Sequence, residues 1–194
     1  MDDARARELM GALGDLLRYP GSGLAEAARR AAGLARGTRA GAALEGFARE
    51  AAGRPPASLE ELYTATFDLD PACVPYVGHQ LLGESPVRGA LLAELMGVYA
   101  RAGWSPRDEL GDHVAEVLSF LAVAPDGPER DDLVRDGLLP ALEKMLEALP
   151  DRGNPYRGLL EAARVAAAPG ASPRERGGAP ARAGDGAGAR EVRR

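Results

Sequence analysis

Leucines and valines recur at steps of three and four from Leu9 to Leu160, and a proline or glycine cuts each run short. That period belongs to amphipathic helices, and the breaks limit each helix to a few turns. Aromatic residues make up only 5% and β-branched residues are sparse, while Ala, Leu, Glu and Arg are abundant, so summed propensity favours helix and no β-sheet is expected. A chain of 194 residues suffices for one domain with one sizeable core. The fold class expected is all-α, a single-domain helical bundle.

The punctuation places the helices. Leu9, Leu13, Leu16 and Leu17 mark a first helix that stops at Tyr19-Pro20-Gly21, because proline disfavours helical geometry in the residue before it. Two Ala-rich helices follow near residues 23–35 and 39–52. Ser58 with Glu61 reads as a capping box opening a helix that carries Leu59, Leu62, Tyr63 and Phe67. The turn Asp68-Leu69-Asp70-Pro71 leads to a short helix over 74–82. Ser85-Pro86 starts another, with the stripe Val87, Leu91, Leu95, Val98 and Ala102 ending at Gly103. Residues 129–149 read as a helix kinked or divided at Pro140, and Asn154-Pro155 opens the last, with Tyr156, Leu159, Leu160 and Ala163 inward. After Ala168 periodicity ends, so the domain is expected to span 1–168 and residues 169–194 to form a disordered Gly/Ala/Arg/Pro tail.

Charge is unevenly distributed. Net charge is −5, and residues 169–194 hold six arginines and three acids, so residues 1–168 carry −8. Such a surface repels nucleic acid and anionic lipid and suits a basic partner segment. Of the basic residues only Lys144 is lysine, a bias that reflects coding composition. Cys73 is the one cysteine, which excludes an internal disulfide and a thiolate metal cage. The charged N-terminus lacks an apolar signal region and no run approaches a membrane span, so the expected location is the cytoplasm.

The densest functional signal is residues 109–121, Glu-Leu-Gly-Asp-His-Val-Ala-Glu-Val-Leu-Ser-Phe-Leu. Read as one helix, Leu110, Val114, Val117, Leu118 and Leu121 form a buried stripe. Glu109, Asp112, His113 and Glu116 then gather on its flank, with His113 reaching Glu109 and Glu116. Ser105-Pro106 is one possible start of this helix, and a restart at Gly111 is another. Catalysis by a His113 general base lacks a nucleophile, since Ser119 lies on another face and neither a nucleophile elbow nor a P-loop occurs. Metal ligation by Glu109, His113 and Glu116 is the rival reading, a metal-dependent helical enzyme, although His79 is the only other histidine. Asp131-Asp132 reads as a solvated helix start.

Several motifs together carry a family resemblance. The segment Glu109-Leu110-Gly111-Asp112-His113 before an aliphatic helix, the opening Leu-Arg-Tyr-Pro, and Tyr63-x-x-x-Phe67-Asp68 resemble the NarJ/TorD/DmsD redox-enzyme maturation chaperones. His79, the segment Gly83-Glu84-Ser85-Pro86-Val87-Arg88-Gly89 and the late Asn154-Pro155-Tyr156 are similar to the NarJ branch. Gly111 stands where the family commonly has proline, and Gly78 where NarJ chains often have an acid.

The resemblance implies a non-enzymatic cytoplasmic chaperone with no cofactor of its own. It would bind the apo catalytic α subunit of respiratory nitrate reductase, through that subunit's N-terminal peptide, and keep it competent for molybdenum cofactor and iron–sulfur insertion. Molybdenum cofactor biosynthesis proteins are further partners in this reading, and the alternative client is another molybdoenzyme with a twin-arginine signal. The expected client site comprises Tyr63, Phe67, Asp68, His79, Glu84, Arg88, Asp112, His113 and Glu116. Tyr63, Phe67 and Val114 would edge an apolar groove, Asp68, Glu84, Asp112 and Glu116 would attract basic residues, and Arg88 would contact the client or pair with Glu84 at i+4. Acids around His113 would favour its charged form and make client affinity depend on pH.

Overall fold

The computed structural model describes residues 2–149 and 153–168. The helices are α1 (Asp3–Leu16), α2 (Leu24–Leu34), α3 (Arg39–Ala52), α4 (Pro56–Phe67), α5 (Val77–Leu82), α6 (Pro86–Arg101), α7 (Val114–Val123), α8 (Pro128–Asp132), a π-helical segment (Leu133–Leu138), α9 (Leu139–Ala148) and α10 (Tyr156–Ala167). No strand occurs among the described residues, where extended pairing is limited to an isolated antiparallel bridge between Tyr76 and His113. The all-α expectation holds. The expected tail, residues 169–194, lies outside the described residues.

Side chains at four helix starts accept orphan backbone N–H groups, two of them, Ser85 and Asn154, as the turn residues suggested. Asp2 accepts from Arg5 at 2.8 Å, Thr38 from Gly41 at 3.2 Å, Ser85 from Val87 at 3.2 Å and Asn154 from Tyr156 at 3.0 Å. The capping box at Ser58 does not form. Pro56 sits at the first helical position of α4, where its fixed φ starts the helix three residues earlier and leaves Ser58 inside the first turn.

α7 is the core of the bundle. Every residue from Val114 to Leu121 is buried and only the last turn, at Val123, reaches solvent, so the one-sided stripe read from the sequence understates the burial of this helix. Leu110, expected in that stripe, precedes the helix and is 52% exposed. α1 lies against α7, and α2 and α10 pack on α1. Small residues set the α1–α7 distance: a Cβ on Gly14 would stand 2.5 Å from Ser119 Oγ and 2.9 Å from the Ala115 carbonyl oxygen. On the other side of α1, Phe67 and Phe47 lie 5.0 and 5.3 Å from Tyr156, and Tyr63 lies 5.3 Å from Phe67.

α6 is the least enclosed long helix. Only Leu95 and Tyr99 are buried on it, Val87 is 58% exposed and Ala102 is exposed, so the expected stripe is covered only in its middle. Pro140 neither breaks nor divides its helix. Proline offers no N–H to the carbonyl four residues back and its ring crowds that turn, and the chain accommodates it by widening the preceding turn. The Leu139 N–H accordingly bonds to the Val134 carbonyl, five residues back.

Gly14→Ala should push α1 off α7, because the added methyl meets backbone as well as the Ser119 hydroxyl. Overpacking of this kind costs about 1–3 kcal/mol, to be read from the urea midpoint. A midpoint equal to wild type would show that the α1–α7 seat is not close-packed.

Candidate functional site

The acid-histidine-acid signature does not lie along a helix flank. Glu109, Leu110, Gly111 and Asp112 form the approach to α7, and His113 is its N-cap, its Nδ1 accepting from the Ala115 N–H at 3.1 Å. The backbone on either side is clamped to the segment before α5. Val77 N–H donates to the Asp112 carbonyl at 2.7 Å and Val114 N–H to the Pro75 carbonyl at 2.8 Å. These two bonds, closing the Tyr76–His113 bridge, fix where α7 begins and delay α5 to Val77.

Asp112, His113 and Glu116 are buried, so they do not form the helix flank that their spacing predicts. Asp112 receives a two-pronged ion pair from Arg88, Nε to Oδ2 at 3.0 Å and a terminal nitrogen to Oδ1 at 3.3 Å. Arg88 therefore pairs with Asp112, 24 residues away, and not with Glu84. Its guanidinium also lies 5.1 Å from the Tyr76 ring centre, a cation–π distance. Gly78 makes this approach possible, since a Cβ there would meet Asp112 Oδ2 at 2.7 Å.

On the far side of His113, Glu116 pairs with Arg18 from the end of α1 and accepts the Arg107 N–H at 3.2 Å. Burial alone would raise the Glu116 carboxyl, but Arg18 and the Arg107 and Asp108 amides outweigh it and hold the group below its ordinary value. Burial, reinforced by the Arg18 charge, pushes His113 down to about 4 despite Glu116 and Asp112 nearby. The imidazole is therefore neutral at physiological pH, the opposite of the charged form expected from its acidic neighbours. Glu109 is half-buried and raised, first by burial, and accepts the Tyr76 hydroxyl at 3.4 Å.

Among the described residues no group of three or more His, Cys, Asp and Glu is placed to hold a metal ion. Glu116 faces Arg18, and the Nδ1 of His113 faces the helix start. Tyr63 and Phe67 are buried in the aromatic core, with the Tyr63 hydroxyl donating to the Leu17 carbonyl at 3.4 Å. Asp68 and Glu84 are exposed and His79 is half-buried, in a loop and at the α5 end of the molecule.

An open groove of about 320 Å³ lies on the other side of the Asp112 carboxylate, between α5, α6, α8 and the π-helical segment. Its floor is apolar, from Val77 and Leu81 on α5, Leu91, Leu95 and Val98 on α6, and Leu133. Glu94, Glu129, Asp132 and Asp136 edge it, with Arg101 bonded to Glu129 at 2.7 Å across one end. The sequence stripe on α6 pointed to Leu91, Leu95 and Val98 as core residues. That they line a groove was not legible, because it depends on what α8 and the π turn leave uncovered. Arg18 stood within the Leu-Arg-Tyr-Pro motif, but its partner is 98 residues away.

Among the described residues the protein is helical throughout, with the polar motif locked into the interior and an apolar groove left open. Residues 31–160 match the family model described as nitrate reductase delta subunit, and the chain belongs to that family. This is the NarJ-type family of nitrate reductase maturation chaperones that the motifs resembled. No curated protein sequence matches the chain significantly.

Neutral His113 sets a pH dependence. Unfolded histidine titrates near 6.5 and the folded group at about 4, so between these values only the unfolded chain takes the proton and stability falls as pH drops. The loss is on the order of 3 kcal/mol across that window, with no further loss from this group below it. His113→Asn keeps a cap acceptor without the titration, and urea unfolding from pH 7 to 4 should show a flatter profile. Identical profiles would mean that His113 is not held neutral.

Proposed function

We propose that this chain is a cytoplasmic, non-catalytic chaperone that binds the apo catalytic α subunit of respiratory nitrate reductase through its N-terminal segment. It holds that subunit competent for molybdenum cofactor and iron–sulfur insertion. The carrying observation is the acid-edged apolar groove in a member of the nitrate reductase delta subunit family. A client segment that folds as an amphipathic helix lays its apolar stripe over Leu81, Leu91, Leu95 and Val98, while Glu94, Asp132 and Asp136 attract its basic residues. Client contact thus shifts from Tyr63 and Phe67 to α5, α6 and the π turn. Asp112 and Arg88 act from the groove wall, and Asp68, His79 and Glu84 remain candidates for contact with client residues beyond the groove. Molybdenum cofactor biosynthesis proteins belong to the same reading as later partners.

Release has to remain possible, so an affinity near micromolar, about −8 kcal/mol, suits the task. Among the described residues no helix is long and apolar enough to cross a membrane, in keeping with a chaperone that acts before its client reaches one.

Calorimetric titration with a peptide covering the N-terminus of the nitrate reductase α subunit from the same genome tests this. Wild type should bind saturably near micromolar, and Leu91→Glu, which puts a charge on the groove floor while α6 stays largely exposed, should weaken binding at least about tenfold. Equal isotherms for the two proteins, or binding only to twin-arginine signal peptides of other molybdoenzymes, would overturn the assignment.

A further inference from the structure

The groove has a second candidate occupant within the same chain. Its edge carries four carboxylates, Glu94, Glu129, Asp132 and Asp136, against the single guanidinium of Arg101, with Arg135 bonded to Asp132 and Asp136 from outside the groove. The described domain ends at Ala168, and the 26 residues that follow reverse the charge of the body, with six arginines and three acids. Four of the last five residues are charged, Arg190, Glu191, Arg193 and Arg194, and they flank Val192, the only large aliphatic side chain after Val165.

We propose that residues 190–194 dock in the acid-edged groove as an intramolecular competitor of the client. Val192 rests on the Leu91–Leu95 floor, and Arg190, Arg193 and Arg194 pair with Glu94, Glu129 and Asp132. This rests on the reading of the groove as the client site.

Reach permits it. The 21 residues between Ala168 and Arg190 span up to about 70 Å, several times the ~15 Å radius of gyration expected for a 168-residue domain. Tethering supplies an effective concentration in the millimolar range, so even a millimolar intrinsic affinity occupies the groove about half of the time. One valine covers little of a floor built from Leu81, Leu91, Leu95 and Val98. A client helix with a longer apolar stripe therefore displaces the tail, whereas a segment that offers positive charge alone does not. The tail sets a threshold of hydrophobic content for entry.

The test uses the full-length chain with a nitroxide on Ala189→Cys, which labels selectively because Cys73 is buried with its thiol pushed up to about 12. Amide signals of Glu94, Arg101, Glu129 and Leu133 should broaden, independently of protein concentration, and recover in about 0.5 M salt, where charges are screened beyond a few ångströms. In calorimetry the R190S/R193S/R194S chain should bind the client peptide about 2–5-fold more tightly than wild type. Broadening that vanishes on dilution would assign the groove to the tail of a second copy and overturn the proposal, as would no broadening, or broadening with unchanged client affinity. Salt-sensitive broadening in a chain that binds no α-subunit peptide would leave the docked tail standing and remove the client assignment instead.

Discussion

The burial of Glu116 against Arg18 is the interaction on which the arrangement of this bundle turns. A carboxylate in the interior is costly unless its charge is paired and its remaining oxygen is satisfied. Glu116 meets both conditions, but with groups from two separate places: the guanidinium at the end of α1 and the Arg107 and Asp108 amides of the loop before α7. The pair can form only when α1 lies against α7 and the loop after α6 has folded back over both. It therefore specifies register, because sliding α1 by one turn would strand a charge in the core. Gly14 and Ser119 impose the same register sterically, one turn further along α1.

The Asp112–Arg88 pair repeats this logic on the opposite side of His113. It ties the first turn of α6 to the start of α7, and the paired backbone of residues 75–77 and 112–114 ties α5 to the same point. α5 and α6, the two helices that build the groove floor, are thus anchored at one polar hub. The side chains of the family signature are turned inward, and the motif is the joint that holds the two helices of the groove floor.

Much of the helical layout was legible because its determinants are local. The starts of α6 and α10 follow from Ser85-Pro86 and Asn154-Pro155, each acting on residues within one turn, whereas the Thr38 cap of α3 was not singled out in the sequence. The motif around Asp112 and His113 was legible as important but not as structure. Helical spacing placed four polar residues on one flank, whereas Tyr76, from a segment some 35 residues earlier, pairs with His113 and ends that helix at its cap. The pKa error has the same origin. Neighbours in sequence suggested an acidic environment, whereas burial and then the charge of distant Arg18 lower the imidazole.

The groove shows why such a surface escapes a reading by hydrophobic pattern. Leu91, Leu95 and Val98 carry the same period whether another helix covers them or not. What leaves them accessible is the path of residues 128–148, where Pro140 forces a wide turn and the π-helical segment brings Leu133, Asp136 and Gly137 to the groove wall. An ordinary α-helix through this stretch would rotate the following residues by a different angle and present another set of side chains to α6. Proline and π turn together convert a stripe that pattern alone assigns to the core into a cleft with apolar floor and charged edge. The acids of this edge are exposed, and their pairs with Arg101 and Arg135 lie in solvent, where such pairs are weak and exchangeable, while the more conspicuous pair in the signature is buried against Arg18 and Arg88.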